Sequence, residues 1–238
     1  MKVKLVGCGF LGSLFTEELA KWSRALHLDM TMDVCDPDTV SERNVANQLF
    51  TPADVGIHKV NVVGQRLWDY NVGGDSFTKL LTPETSDEIL AGADIYVCAV
   101  DNIKARQLMW TKSIQNDVPL LNLGVSQQGT GSVDWTCMSN GIDTNPFGLT
   151  QGQTEEQLAA YGQLNAELPP CELVGFRGVG LNMALAATKS LLILWGWDPE
   201  MVVHKTKGQQ APWGTFTTWL ARTDGHSLVQ TMVAKEEE

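Results

Sequence analysis

Along the first half of the chain, short continuous apolar runs alternate with longer stretches whose apolar residues recur every three or four positions. Lys2 to Val6 is such a run. The turn Gly7-Cys8-Gly9-Phe10-Leu11-Gly12 follows, and then Leu11, Leu14, Phe15, Leu19 and Trp22 mark one face of a helix from Leu11 to Leu26. The pattern predicts strand, turn, helix. Met30 to Cys35 reads as a second strand ending at Asp36, and Pro52 to Trp68 as a helix whose start is marked by Thr51 and Pro52. Phe77 to Leu81 reads as a third strand and Pro83 to Ala91 as a short helix. Ile95 to Val100 is a continuous apolar run, expected of a strand covered on both faces, with a helix from Ile103 to Gln115 and a strand from Pro119 to Leu123 behind it. This alternation predicts an α/β fold, a mostly parallel sheet with helices on both faces.

Beyond Leu123 the pattern changes. Gly124, Gly129, Gly131 and Gly141 punctuate a polar stretch around Ser132 to Met138, expected as antiparallel strands added at the C-terminal side. Residues 145–170 are polar, with a helix expected from Glu155 to Leu168 behind Thr154, and they read as an excursion over the active face that stops at Pro169-Pro170. Val179 to Leu194 reads as a helix returning to the core, because Asn182, Thr188, Lys189 and Ser190 would be penalised in a bilayer. Trp213, Phe216 and Trp219 alternate in the tail and are expected to pack on the core, whereas Lys235 to Glu238 is expected to fray. At 238 residues the chain is long enough for one large α/β domain with appended pieces and short for two independent cores. A single domain over 1–238 is expected, with a nucleotide-binding half at 1–125 and the strands, crossover, returning helix and tail over 126–238.

The formal net charge is −11, so no basic field favours nucleic acid or an anionic membrane, and neither is expected as a partner. Any anionic ligand must be held by local devices. No basic stretch followed by an apolar one opens the chain, so secretion is not expected. The five cysteines, Cys8, Cys35, Cys98, Cys137 and Cys171, form no CxxC pair, and His27, His58, His204 and His226 show no ligand spacing. A reducing, cytoplasmic setting without structural zinc fits them.

Chemistry first appears in the glycine turn. Gly7, Gly9 and Gly12 between a strand and a helix let backbone amides and the positive helix end hold phosphate, with Phe10 and Leu11 opening the helix. Asp36, at the end of the next strand, sits where a carboxylate accepts hydrogen bonds from ribose hydroxyls. That pair makes the fold Rossmann-like, and by itself is equally compatible with NAD and an oxidoreductase.

The next segment separates ATP from NAD. It runs Asp36-Pro37-Asp38-Thr39-Val40-Ser41-Glu42-Arg43-Asn44-Val45-Ala46-Asn47-Gln48, then Asp54-Val55-Gly56-Ile57-His58-Lys59, and later Ala99-Val100-Asp101-Asn102 with Arg106. In matching order over roughly residues 3 to 196, these resemble the ThiF/MoeB/E1-like adenylating family. The resemblance implies ATP-dependent adenylation of the C-terminal carboxylate of a small ubiquitin-like (β-grasp) or sulfur-carrier protein ending in glycine. It also implies magnesium (Mg2+) and a homodimer or heterodimer. By the same resemblance Asp36 binds ribose, Lys59 contacts phosphate, Asp101 holds Mg2+, and Asp38, Asn44, Asn47, Gln48 and Asn102 line the nucleotide.

Asn47 departs from the family, which has an arginine before the glutamine, and a neutral amide cannot supply a guanidinium's charge. Arg43 or an arginine from a partner would have to substitute; otherwise the chain is a non-catalytic nucleotide-binding subunit. Cys171 stands where several family members carry a reactive cysteine, as a thioester acceptor after adenylation or as an inert thiol. The catalytic candidates are therefore Lys59, Asp101, Arg43 and Cys171.

Overall fold

The computed structural model describes residues 1–45, 48–125, 131–136, 177–194, 216–221 and 228–233. Within them the order is β1 (Lys2–Val6), α1 (Phe10–Ala25), β2 (Thr31–Cys35), α2 (Glu42–Val45), α3 (Lys59–Asp69), β3 (Ser76–Phe77), α4 (Pro83–Leu90) and β4 (Ile95–Cys98), then α5 (Ile103–Asn116), β5 (Leu120–Val125), β6 (Gly131–Thr136), α6 (Arg177–Leu194), β7 (Phe216–Ala221) and β8 (Leu228–Val233). One eight-stranded sheet runs β3-β2-β1-β4-β5-β6-β7-β8. Its first five strands are parallel, and β6, β7 and β8 are added antiparallel. The α/β architecture with antiparallel additions is the one the sequence predicts.

Strand alternation explains the two cores. Val3, Leu5, Val97, Leu121 and Leu123 face one side and pack with buried residues of α1, α3 and α6, whereas Val6, Tyr96, Cys98 and Leu120 face the other and pack with α4 and α5. Because the chain leaves β1 towards β2 and leaves β4 towards β5, the strand order reverses between the neighbouring ends of β1 and β4. Ligands of open α/β sheets bind at such a reversal of strand order.

Several boundaries differ from expectation for local reasons. The helix expected from Pro52 divides: Pro52–Asp54 is a single 3-10 turn in which Asp54 Oδ2 accepts the Thr51 N–H at 2.6 Å. Gly56 then turns with φ +88°, and Val40 pairs with Ile57 (N to O 2.8 Å), so helix α3 starts only at Lys59. The third strand is Ser76–Phe77 rather than Phe77 to Leu81, because its partner β2 ends at Cys35 and the Asp36 N–H takes the Phe77 carbonyl as the last rung. Strand β4 ends at Cys98, two residues earlier than expected. Helix α2 has no counterpart among the expected elements; it is one polar turn with no apolar face to read. The expected helix Glu155 to Leu168, Cys137, Trp213 and the Lys235 to Glu238 end lie outside the described residues. Among those described, no helix is long and apolar enough to cross a membrane.

Helix α6 crosses α1 at a glycine. A Cβ on Gly180 would meet the Phe10 ring, and it would come within 2.8 Å of Leu14 Cδ1. Gly180→Val should therefore lower stability by about 2 kcal/mol, the usual cost of overpacking. An unchanged urea midpoint would show that the two helices can separate without cost.

Candidate functional site

The three turn glycines do different jobs. Gly7 has φ +96°, and a Cβ there would lie 2.6 Å from the Ala99 carbonyl oxygen, so the turn after β1 presses directly on the loop after β4. A Cβ on Gly12 would collide with the Gly7 carbonyl oxygen. Gly9 differs: nothing lies within 4 Å of its Cβ position. Gly9 is the N-cap of α1 and has no side-chain cap, and the first turn of the helix carries no acidic residue. The amides and positive end of α1 are therefore not neutralised by the helix itself, which suits an anion. Phe10 and Leu11 turn their buried side chains into the core. What they can offer a ligand is backbone.

Asp36 closes the turn from the side. Its Oδ2 accepts the Cys8 N–H at 2.7 Å and its Oδ1 accepts the Asp38 N–H at 2.9 Å, which fixes the carboxylate against the glycine turn. The residue is 7 % exposed. Burial pushes its carboxyl above the ordinary aspartate range, although Lys59 and the two amides pull the other way. Lys59, also 7 % exposed, is the first residue of α3, and its Nζ lies 2.8 Å from Asp38 Oδ2. Burial alone would lower its pKa, but Asp36 and Asp38 outweigh it and hold the ammonium above its usual value. At neutral pH Lys59 is charged.

Two further groups flank this corner. Asn44 accepts from the Ser41 N–H at 2.9 Å and from the Ser41 hydroxyl at 3.0 Å, so its side-chain oxygen is used in closing its own turn. Gln48 is buried, and its Oε1 has no hydrogen-bond partner among the described residues. A buried acceptor of that kind is satisfied when a ligand brings a donor. Arg43 lies exposed on α2. Asn47 and Cys171 lie outside the described residues.

Past the end of β4, Asn102 caps α5, its Oδ1 accepting the Lys104 N–H at 2.8 Å, and Asp101 is exposed immediately before it. Arg106 donates from Nη2 to the Leu123 carbonyl at 2.8 Å, which ties α5 to the end of β5. Among the described residues no three His, Cys, Asp or Glu side chains converge as a metal cage. A single exposed carboxylate fits Mg2+, which keeps much of its water and is usually shared with substrate phosphates.

The family model described as "ThiF family" matches residues 1–212. The chain belongs to the ThiF family. Mouse ubiquitin-like modifier-activating enzyme 6 is 28% identical over 132 residues, covering 52% of this chain and 12% of that protein. The fold is similar to that of Escherichia coli MccB solved with ATP, with TM-score 0.68, 15% identity, and coverage of 97% of this chain and 63% of that one. MccB solved with MccA-N7isoASN gives TM-score 0.69 at 15% identity, covering 97% and 64%. PaaA gives 0.64 at 15%, covering 98% and 64%. The ThiF-family chain described here thus spans less than two thirds of the length of each of these relatives.

In this ThiF-family chain, sequence reasoning missed two contacts within the site. The Cys8 amide that braces Asp36 is a main-chain donor, and nothing in the sequence marks it. The Lys59–Asp38 ion pair was legible only as two residues both assigned to nucleotide. Their mutual contact depends on the Thr39–His58 bridge that folds the intervening loop back on itself.

Proposed function

We propose that the chain binds ATP and transfers its adenylyl group to a carboxylate at the C-terminus of a small protein or peptide. The observation that carries this reading is the convergence of Gly9, the uncapped start of α1, Asp36 and Lys59 at the end of β1, where the Gly7 turn meets the loop after β4. ThiF-family members are adenylyltransferases, and one fold relative has been solved with ATP. In the proposed site Asp36 accepts from the ribose hydroxyls, the amides at Gly9 and the start of α1 take phosphate oxygens, and Gln48 turns to the nucleotide its Oε1, which has no partner among the described residues. Asp101 would hold Mg2+, which neutralises phosphate charge when bound. The substrate carboxylate attacks the α-phosphorus, the bond from that phosphorus to the bridging oxygen breaks, and pyrophosphate leaves with the electron pair; Lys59 stabilises the charge that develops.

The narrower reading names the acceptor as a ubiquitin-like or sulfur-carrier protein ending in glycine, with Cys171 taking the acyl group as a thioester and AMP leaving. The family and the similarity to a ubiquitin-like modifier-activating enzyme support it. Pyrophosphate–ATP exchange tests it: exchange should require a β-grasp protein ending in glycine and vanish when that glycine is deleted. A second reading has support of its own. The corner formed by Asp36, Asp38 and Lys59 holds two carboxylates to one ammonium, and Asn47 adds no charge, which suits a nucleotide-binding subunit that leaves catalysis to a partner. ATP binding without exchange for any carboxylate, followed by a large gain of exchange in Asn47→Arg, would decide for it.

A further inference from the structure

The two carboxylates beside Lys59 are not equivalent. Asp36 is locked, each of its oxygens accepting a backbone N–H from within the turn or the loop beside it. The Asp38 carboxylate is 62% exposed and meets the Lys59 ammonium at 2.8 Å, while the Lys59 side chain is only 9% exposed. Asp38 can therefore swing into water, whereas Lys59 cannot. Nor does the Asp38 side chain position Lys59 along the chain. That is done by the main chain: the Lys59 N–H donates to the Asp38 carbonyl at 3.0 Å, and the Thr39–His58 bridge holds the residues on either side.

An ammonium has three donors, but in a corner with two carboxylates each added anion raises the repulsion among the others. A phosphate oxygen arriving at Lys59 must therefore compete with Asp38, and Asp38 is the partner able to leave. A neutral nucleoside asks nothing of Lys59. We propose that Asp38 is a competing counter-ion for Lys59 that yields to polyphosphate, and so sets how strongly the site prefers a nucleoside triphosphate over a nucleoside. This rests on the nucleotide reading above, and it makes Asp38 a specificity-determining residue rather than a contact to the nucleotide.

Asp38→Asn keeps the shape and removes the charge. Titration calorimetry of ATP and of adenosine should show ATP binding tightened by about three- to tenfold, as expected for removing one partly screened anion near the phosphates. Adenosine binding should be unchanged, and Asp38→Glu should return the ratio to that of the wild type. Equal weakening of ATP and adenosine in Asp38→Asn would make Asp38 a ribose ligand and overturn the proposal. Weakening of ATP alone would make it an orienting group for Lys59 and would overturn the proposal equally.

A second measurement separates this inference from the nucleotide reading. With no nucleotide added, acylation of Lys59 by an amine-reactive ester, followed by mass spectrometry against exposed Lys21, should be severalfold faster in Asp38→Asn. Inorganic tripolyphosphate should protect Lys59 in that variant at lower concentration than in the wild type. If neither ATP nor adenosine binds the wild-type protein, the nucleotide reading fails, and these two rates still judge the ion pair. Unchanged labelling and protection would overturn the inference even where ATP binds.

Discussion

Gly12→Ala is expected to destabilise the protein by about 3 kcal/mol and to abolish ATP binding, whereas Gly9→Ala should keep the fold and lose affinity alone. The sign for Gly12 is not the one helix propensity gives. Gly12 lies inside α1, where alanine is ordinarily preferred by about 1 kcal/mol. The new Cβ, however, would occupy the place of the Gly7 carbonyl oxygen, and its next neighbours are Gly7 C at 2.9 Å and Ala99 Cβ at 3.4 Å. That oxygen is backbone and cannot rotate away. Relief requires the turn to open, which releases the Gly7 N–H from the Cys35 carbonyl (2.8 Å) and the Cys8 N–H from Asp36 (2.7 Å). Fold and ribose acid are thus disturbed by the same methyl group. Nothing stands within 4 Å of a Cβ on Gly9, so Gly9→Ala should unfold within about 1 kcal/mol of the wild type. If phosphate packs on that open face, ATP affinity falls about tenfold or more. Urea unfolding and ATP calorimetry on both variants check the pair. A Gly12→Ala protein with wild-type midpoint would mean that the turn relaxes around the new methyl group without cost, and a Gly9→Ala protein that binds ATP normally would remove the phosphate from this turn.

That contrast also shows what a sequence can and cannot display. The three glycines, Asp36, Lys59 and Asp101 were visible as residue types at meaningful spacing, and the alternation of runs revealed the parallel sheet, because apolar strands and amphipathic helices leave a periodic trace. Which glycine is structural and which faces a ligand was not visible, since it depends on the approach of Ala99 and of the Gly7 carbonyl from elsewhere in the fold. The segment from Pro52 to Lys59 misled for a similar reason. Proline after threonine marks a helical start correctly, but only a 3-10 turn follows, because Gly56 and the pairing of Val40 with Ile57 compete for the same backbone groups. Helix α2 leaves no periodic trace in one polar turn. Side-chain partnerships across the sheet, such as the one between Lys4 and Asp33, are invisible until the register Lys4↔Asp33 between β1 and β2 is known.

That pair gives the second large effect. Lys4 and Asp33 face each other across adjacent parallel strands, with side chains 5 % and 2 % exposed, and their ammonium and carboxylate are in direct contact. Lys2 reaches the same oxygen at 3.0 Å, the Asp75 N–H donates to the other at 2.9 Å, and the Lys4 ammonium also lies 5.2 Å from the centre of the Phe77 ring. Burial alone would raise the Asp33 carboxyl, but Lys4, the Asp75 amide and Lys2 outweigh it and hold it below the ordinary value. A depressed carboxyl contributes stability above its unfolded pKa of about 3.9 and loses it as pH falls through the lower folded value. Lys4→Met should therefore cost about 3 kcal/mol at pH 7, because it strands a buried carboxylate whose one remaining cation is the partly exposed Lys2, with only the Asp75 N–H on its other oxygen. The loss should shrink as pH approaches 4, where the stranded Asp33 takes a proton and no longer needs a cation. Lys4→Met combined with Asp33→Leu should recover most of the stability at pH 7, since an apolar pair of similar size needs no desolvated charge. Urea midpoints of the three proteins at pH 7 and pH 4 decide it: a Lys4→Met loss equal at both values, or a double variant no better than the single, would mean that Asp33 is already satisfied by Lys2 and the Asp75 amide, and that Lys4 acts through its packing against Phe77 instead.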